Sequence, residues 1–77
     1  MEGTISMTYT ILLERGDDGG WSGMAPDLPG LLLLGDSREA VIAQAPDVIA
    51  DYLDAMRDSG HPIPEPRYDA VNVVPAA

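Results

Sequence analysis

The spacing of apolar and polar residues changes character several times along the chain. Residues 8–14 (Thr8, Tyr9, Thr10, Ile11, Leu12, Leu13, Glu14) are rich in strand formers with loose alternation. Gly16-Asp17-Asp18-Gly19-Gly20 then supplies turn formers, with glycines available for positive φ. Strand character resumes from Trp21 to Ala25, so residues 8–25 are expected to form a hairpin. Pro26-Asp27-Leu28-Pro29-Gly30 is a stiff loop, because each proline fixes its own φ and pushes the residue before it to extended geometry. Leu31-Leu32-Leu33-Leu34 ends at Gly35, and a short apolar run between glycines reads as a strand buried on both faces. If the sheet is instead covered on one face, Leu32 and Leu34 would be free for an oligomer interface.

From Asp36 the period becomes helical. Asp36 or Ser37 can cap, and Asp36 with Glu39 has capping-box spacing. Val41, Ala45, Val48, Ile49, Tyr52, Leu53 and Met56 fall on one face at about 100° per residue. Gly60 is the expected stop, with Pro62 beyond it. Pro46 lies inside this pattern and removes the backbone bond to Ile42, so a kink or two abutting helices is expected there. His61 to Pro66 is a proline-rich connector, and Tyr68 to Val74 reads as a last strand. The order is β-β-β-α-β, an α+β fold with a three-stranded antiparallel sheet, one helix and a last strand. One domain is expected over residues 1–77, with residues 1–6 a flexible tail and 8–74 folded.

Composition narrows what such a domain can do. Thirteen acidic and four basic residues give a net charge of −9, with no lysine, which argues against nucleic acid as a direct partner. The chain has no cysteine, so neither a disulfide framework nor a zinc–thiolate site is available. The longest apolar runs are too short to span a bilayer, and the first residues carry no basic leader, so a cytoplasmic location is expected. A 77-residue chain buries only about 60% of its unfolded surface. Self-association is therefore expected.

Candidate chemistry is sparse. Asp47, Asp51, Asp54 and Asp58 are spaced four, three and four residues apart and share a helix face opposite the apolar stripe. That is first a solvated face. Functionally it is a docking surface for a basic protein, and more remotely a hard-cation site, for which no oxygen-ligand loop exists. His61 is the single histidine, in a Gly-His-Pro linker, and the serines have no nucleophile-elbow context. No nucleophile, base and orienting group come together, so no enzyme, cofactor or metal is expected. Trp21 is evenly balanced between core and contact.

In sequence order, Asp-Gly-Gly-Trp at a hairpin is followed by Ala25-Pro26-Asp27-Leu28-Pro29-Gly30. Next come Gly35-Asp36-Ser37-Arg38-Glu39-Ala40, a helix through Tyr52-Leu53, and Gly60-His61-Pro62-Ile63-Pro64-Glu65-Pro66. In order and spacing these motifs resemble the N-terminal domain of HicB-like antitoxins over residues 8–66. The resemblance implies a truncated ribonuclease-H-like fold and a non-enzymatic role. It further implies a dimer or tetramer that masks a small, basic, mRNA-cleaving toxin of the HicA type. The acidic helix face would then steer that partner, with Trp21, Asp27 and Leu28 as contacts. Many family members continue into a DNA-binding module; none is present before Ala77, so direct operator binding is not expected. The family often has a cysteine after the PDLPG glycine, where this chain has Leu31 and Leu32. The alternatives are an orphan oligomeric binding or scaffold module of the same fold and, least favoured, a metal-dependent nuclease using Asp27, Asp36 and the helix aspartates.

Overall fold

A computed structural model describes residues 7–76; the expected tail at residues 1–6 lies outside them. Three strands, β1 (Leu12–Arg15), β2 (Trp21–Met24) and β3 (Leu32–Gly35), precede one helix, α1 (Arg38–Asp58). The strands form an antiparallel sheet in the order β1-β2-β3. The helix lies across β2 and β3. The protein is thus an α+β domain with its core between one sheet face and one helix face.

The hairpin forms where the glycines predict it. Gly16 N–H donates to the Gly20 carbonyl at 2.7 Å, Gly19 takes φ +89°, and Asp18 Oδ1 accepts from Gly20 N–H at 3.0 Å. β1 is shorter than expected at its start. The last β1–β2 pair is Leu12 with Met24, because β2 gives way to the Ala25-Pro26 turn. Residues 8–11 therefore have no ladder partner in β2.

Register decides which face is buried. Leu13, Gly23 and Leu33 stand opposite one another across the three strands, and so do Leu12, Met24 and Leu32. Side chains alternate along a strand, so the first row faces α1 and the second faces outward. Leu31 and Leu33 are buried, whereas Leu32 and Leu34 are 61% and 64% exposed. The leucine strand is therefore buried on one face, not two. Ala25, Leu28, Leu31, Leu33 and Val41 form the fully buried core, with Ile11, Leu13, Trp21 and the helix stripe packed around it.

The helix begins and ends where the sequence places its caps. Ser37 is the N-cap, its Oγ accepting from Ala40 N–H at 3.0 Å, so Asp36 lies outside the cap and the Asp36–Glu39 box does not form. At the other end, His61 N–H donates to the Met56 carbonyl and Gly60 N–H to the Arg57 carbonyl, with Gly60 at φ +77°. This is a Schellman stop. One helix runs through Pro46 rather than two abutting pieces. Pro46 sits on the exposed side, where water can serve the carbonyl freed at Ile42.

No strand forms over residues 68–74. The expectation of a fourth strand fails for a local reason. Pro62, Pro64 and Pro66 have no N–H to offer a ladder. The next two N–H groups, of Arg67 and Tyr68, both go to the Asp27 carboxylate. Val71, Val73 and Val74 are left in solvent.

Candidate functional site

The Pro26–Gly30 loop is two consecutive tight turns. Leu28 N–H donates to the Ala25 carbonyl at 3.0 Å and Leu31 N–H to the Leu28 carbonyl at 3.2 Å. Gly30 takes φ +87° behind Pro29, the arrangement of a type II turn with proline at its second position and glycine at its third. The double turn drives Leu28 into the core, where its side chain is 0% exposed. Leu28 is therefore a packing residue and is not presented to a partner. Tyr52 fixes the loop from the helix by donating its hydroxyl to the Pro29 carbonyl at 2.7 Å.

Asp27 is likewise turned inward, at 9% exposure. Its Oδ2 accepts from Arg67 N–H at 2.9 Å and from Tyr68 N–H at 3.3 Å. Two further bonds hold the same segment: the Tyr9 hydroxyl donates to the Pro64 carbonyl, and Thr10 Oγ1 donates to the Tyr68 carbonyl at 2.7 Å. Asp27, expected as a partner contact, is thus a latch for the connector that follows α1. The sequence signal for this was a short acceptor in a proline-fixed turn, opposite a connector with few N–H groups to satisfy.

Burial, and secondarily the negative charge of Asp27, push the Tyr9 phenol above its ordinary value. A raised pKa means that the folded state holds the phenol neutral. Its contribution to stability is complete below the unfolded phenol pKa of about 10 and is lost as pH rises through the folded value. The urea midpoint should therefore fall on the alkaline side of about pH 10, and Tyr9→Phe should flatten that limb. Superimposable alkaline limbs for the two proteins would show that Tyr9 carries no such coupling.

Asp47, Asp51, Asp54 and Asp58 are all exposed on α1. Asp54 is shared with Arg57, whose Nη1 lies 2.8 Å from Asp54 Oδ1. Both side chains are well solvated, so this pair contributes little to stability. Among the described residues, no three His, Asp or Glu side chains converge as a metal site requires. No helix of the described residues is long and apolar enough to cross a membrane.

Trp21 is half-buried and packs on the core cluster, and the chain around it borders a groove of about 500 Å³. The groove lies between the hairpin turn and the end of β3, up to Asp36. Asp18 and Asp36 flank it. On the sheet face away from α1, Leu12, Met24, Leu32 and Leu34 form an exposed apolar surface, a shallow trough of about 310 Å³ running beside the first three. Reading the sequence singled out Leu32 and Leu34 but missed Leu12 and Met24, whose side depends on the hairpin register.

A double-turn loop, a helix-covered three-stranded sheet and an acidic helix face make up this small α+β domain. Residues 9–74 match the family model described as the HicB-like antitoxin of bacterial toxin–antitoxin systems. The chain belongs to that family. It is 35% identical over 74 residues to Antitoxin HicB 2 of Photorhabdus laumondii, covering 94% of this chain and 52% of that protein. The chain thus spans about half the length of the curated relative that it matches. No solved structure gives a significant match.

Proposed function

We propose that this domain works as an antitoxin, binding and masking a small, basic, mRNA-cleaving toxin of the HicA type. Family membership over residues 9–74 carries the reading. The charge of −9 and four solvated aspartates along α1 support it, because they complement a surface built to hold RNA. Masking asks no chemistry of this chain. It needs shape, opposite charge and enough buried area to exclude the RNA. The action is expected in the cytoplasm, where mRNA is.

The test is co-expression with the adjacent short reading frame, followed by RNA-cleavage assays of that product with and without this chain. A stable complex that silences cleavage establishes the reading. A pure homo-oligomer that ignores its neighbour would sink it and favour the orphan-module alternative. The observation behind that alternative is the apolar outer row, Leu12, Met24 and Leu32, extended by Leu34. A second copy of this chain is the proposed occupant of that face in either case.

The charge contribution is separable from shape. Replacing Asp47, Asp51, Asp54 and Asp58 together by Asn should slow association about tenfold at low salt and leave dissociation nearly unchanged. An on-rate that is unaltered and insensitive to salt would remove the acidic face from the mechanism.

A further inference from the structure

We infer that Gln44 of α1 closes the outer edge of β3 and so keeps a second copy of this chain from adding its own β3 there. The inference does not depend on the toxin partner, nor on what covers the outer sheet face.

A three-stranded sheet in the order β1-β2-β3 has two free edges. An edge strand offers unpaired N–H and C=O groups to any strand that can align with it, and proteins guard such edges with charges, prolines, bulges or a covering segment. β1 carries Glu14 and Arg15. The connector runs beside residues 9 and 10 just ahead of it, held by the Tyr9 hydroxyl on the Pro64 carbonyl and by Thr10 Oγ1 on the Tyr68 carbonyl. β3 has none of these guards in its own sequence. Leu31 to Gly35 contains no charge and no proline. Its ladder with β2 runs residue for residue from Leu32 to Gly35, without a bulge. Leu32 and Leu34 are both exposed. A regular, apolar edge of this kind invites strand addition.

The guard comes from the helix. Gln44 Nε2 donates to the Leu34 carbonyl at 2.7 Å, so that carbonyl is directed away from β2. Peptide groups alternate in direction along an antiparallel strand. The Leu34 N–H and both backbone groups of Leu32 therefore point off the same edge. Gln44 Nε2 also donates to the Ala40 carbonyl at 3.1 Å. Both amide hydrogens are thus engaged, and the side chain sits where the N–H of an added strand would bond.

A second copy is the strand donor that this arrangement excludes. Two β3 strands can pair antiparallel about a two-fold axis centred on Leu33. Leucine then stands beside leucine, no like charges meet, and the exposed leucines of both copies join on one face. In that register Leu32 N–H of each copy must donate to the Leu34 carbonyl of the other. Both Gln44 amides would have to leave first, and each departure gives up a hydrogen bond already made.

Gln44→Ala removes the guard and installs the best helix former, so far-UV circular dichroism should be unchanged. In sedimentation equilibrium the variant should self-associate about tenfold more tightly than the wild-type chain. Amide exchange locates the contact. Leu32 and Leu34 N–H should gain protection with rising concentration in Gln44→Ala and stay near unprotected rates in the wild-type chain at the same concentrations. Association through the outer sheet face buries side chains without giving those N–H groups a partner, so the two modes are distinguished. Leu32→Pro added to Gln44→Ala removes an N–H that the pairing needs and leaves the ladder to β2 in place. Association should then return to the wild-type level. The inference is overturned if Gln44→Ala associates no more tightly than the wild-type chain, if its added association survives Leu32→Pro, or if the wild-type chain shows the same protection at Leu32 and Leu34.

Discussion

Gly23→Val should cost the folded chain about 3 kcal/mol or more, a large share of its stability. Gly23 lies in the middle of β2, opposite Leu13 and Leu33, on the face that α1 covers. A Cβ there would stand 2.9 Å from Val41 Cγ1, 3.1 Å from Ile11 Cγ2 and 3.4 Å from Leu13 Cδ2. Val41 is 0% exposed and has nowhere to go. Gly23 is what lets the helix sit down on the sheet, much as Gly35 lets Ala40 and Val41 approach the end of β3 at 3.1–3.3 Å from its missing Cβ. Overpacking a filled core costs about 1–3 kcal/mol per insertion and occasionally more. A domain of this length has roughly 4–12 kcal/mol in total.

Alanine at position 23 should lower the urea midpoint by about 1–2 kcal/mol equivalent, and valine by about 3 kcal/mol or more. Ser22→Val, one residue along and facing outward, should stay within about 0.5 kcal/mol of wild type. If Gly23→Val proves as stable as Ser22→Val, α1 is not pressed against β2 and the packing described above is wrong.

The order of strands and helix was legible because each boundary has a local chemical cause. The glycine-rich hairpin, the stop at Gly60 and the apolar stripe of α1 need only nearby residues. What was not legible depended on pairing between distant segments. Leu31–Leu34 looks the same whether one face or two are covered; only the absence of a second layer leaves Leu32 and Leu34 in solvent. Gly23 looks like a weak strand residue until the helix is placed above it.

The last strand failed by the same logic. Val71, Val73 and Val74 have strand propensity, but propensity needs a ladder, and the preceding N–H groups are committed to a side chain. Of the proposed contacts, the four helix aspartates and part of Trp21 lie on the surface, whereas Leu28 and Asp27 are turned inward. A Pro-Asp-Leu-Pro-Gly string suggests an exposed recognition loop because such loops are polar and stiff. Here its two turns point the leucine and the aspartate at the protein itself. The groove at Trp21 could have been suspected from Asp18 and Asp36 only with the register that brings the hairpin turn beside the end of β3.

Asp27→Ala should release the segment after Pro66 while the sheet and helix persist. One carboxylate oxygen accepts both the Arg67 and the Tyr68 N–H groups, across 40 and 41 residues of sequence. Hydrogen bonds to a charged acceptor contribute about 1.5–3 kcal/mol each, but the two released amides can turn to water. The net loss is therefore expected near 2 kcal/mol. Amide exchange at Arg67 and Tyr68 should rise to nearly unprotected rates, while amides of β2 keep their protection. Asp27→Asn retains an oxygen acceptor without the charge and should recover about half of the loss. The neighbouring bonds of Tyr9 and Thr10 hold the same stretch, so removing all three should not add independently. Protection at Arg67 and Tyr68 that survives Asp27→Ala would show that those two bonds hold the connector instead. Loss of protection throughout β2 would show that Asp27 supports the whole core and not a latch. The intermediate outcome, a loosened connector on an intact domain, is the one the geometry predicts. It would mean that the course of the chain beyond α1 is set by a single buried carboxylate.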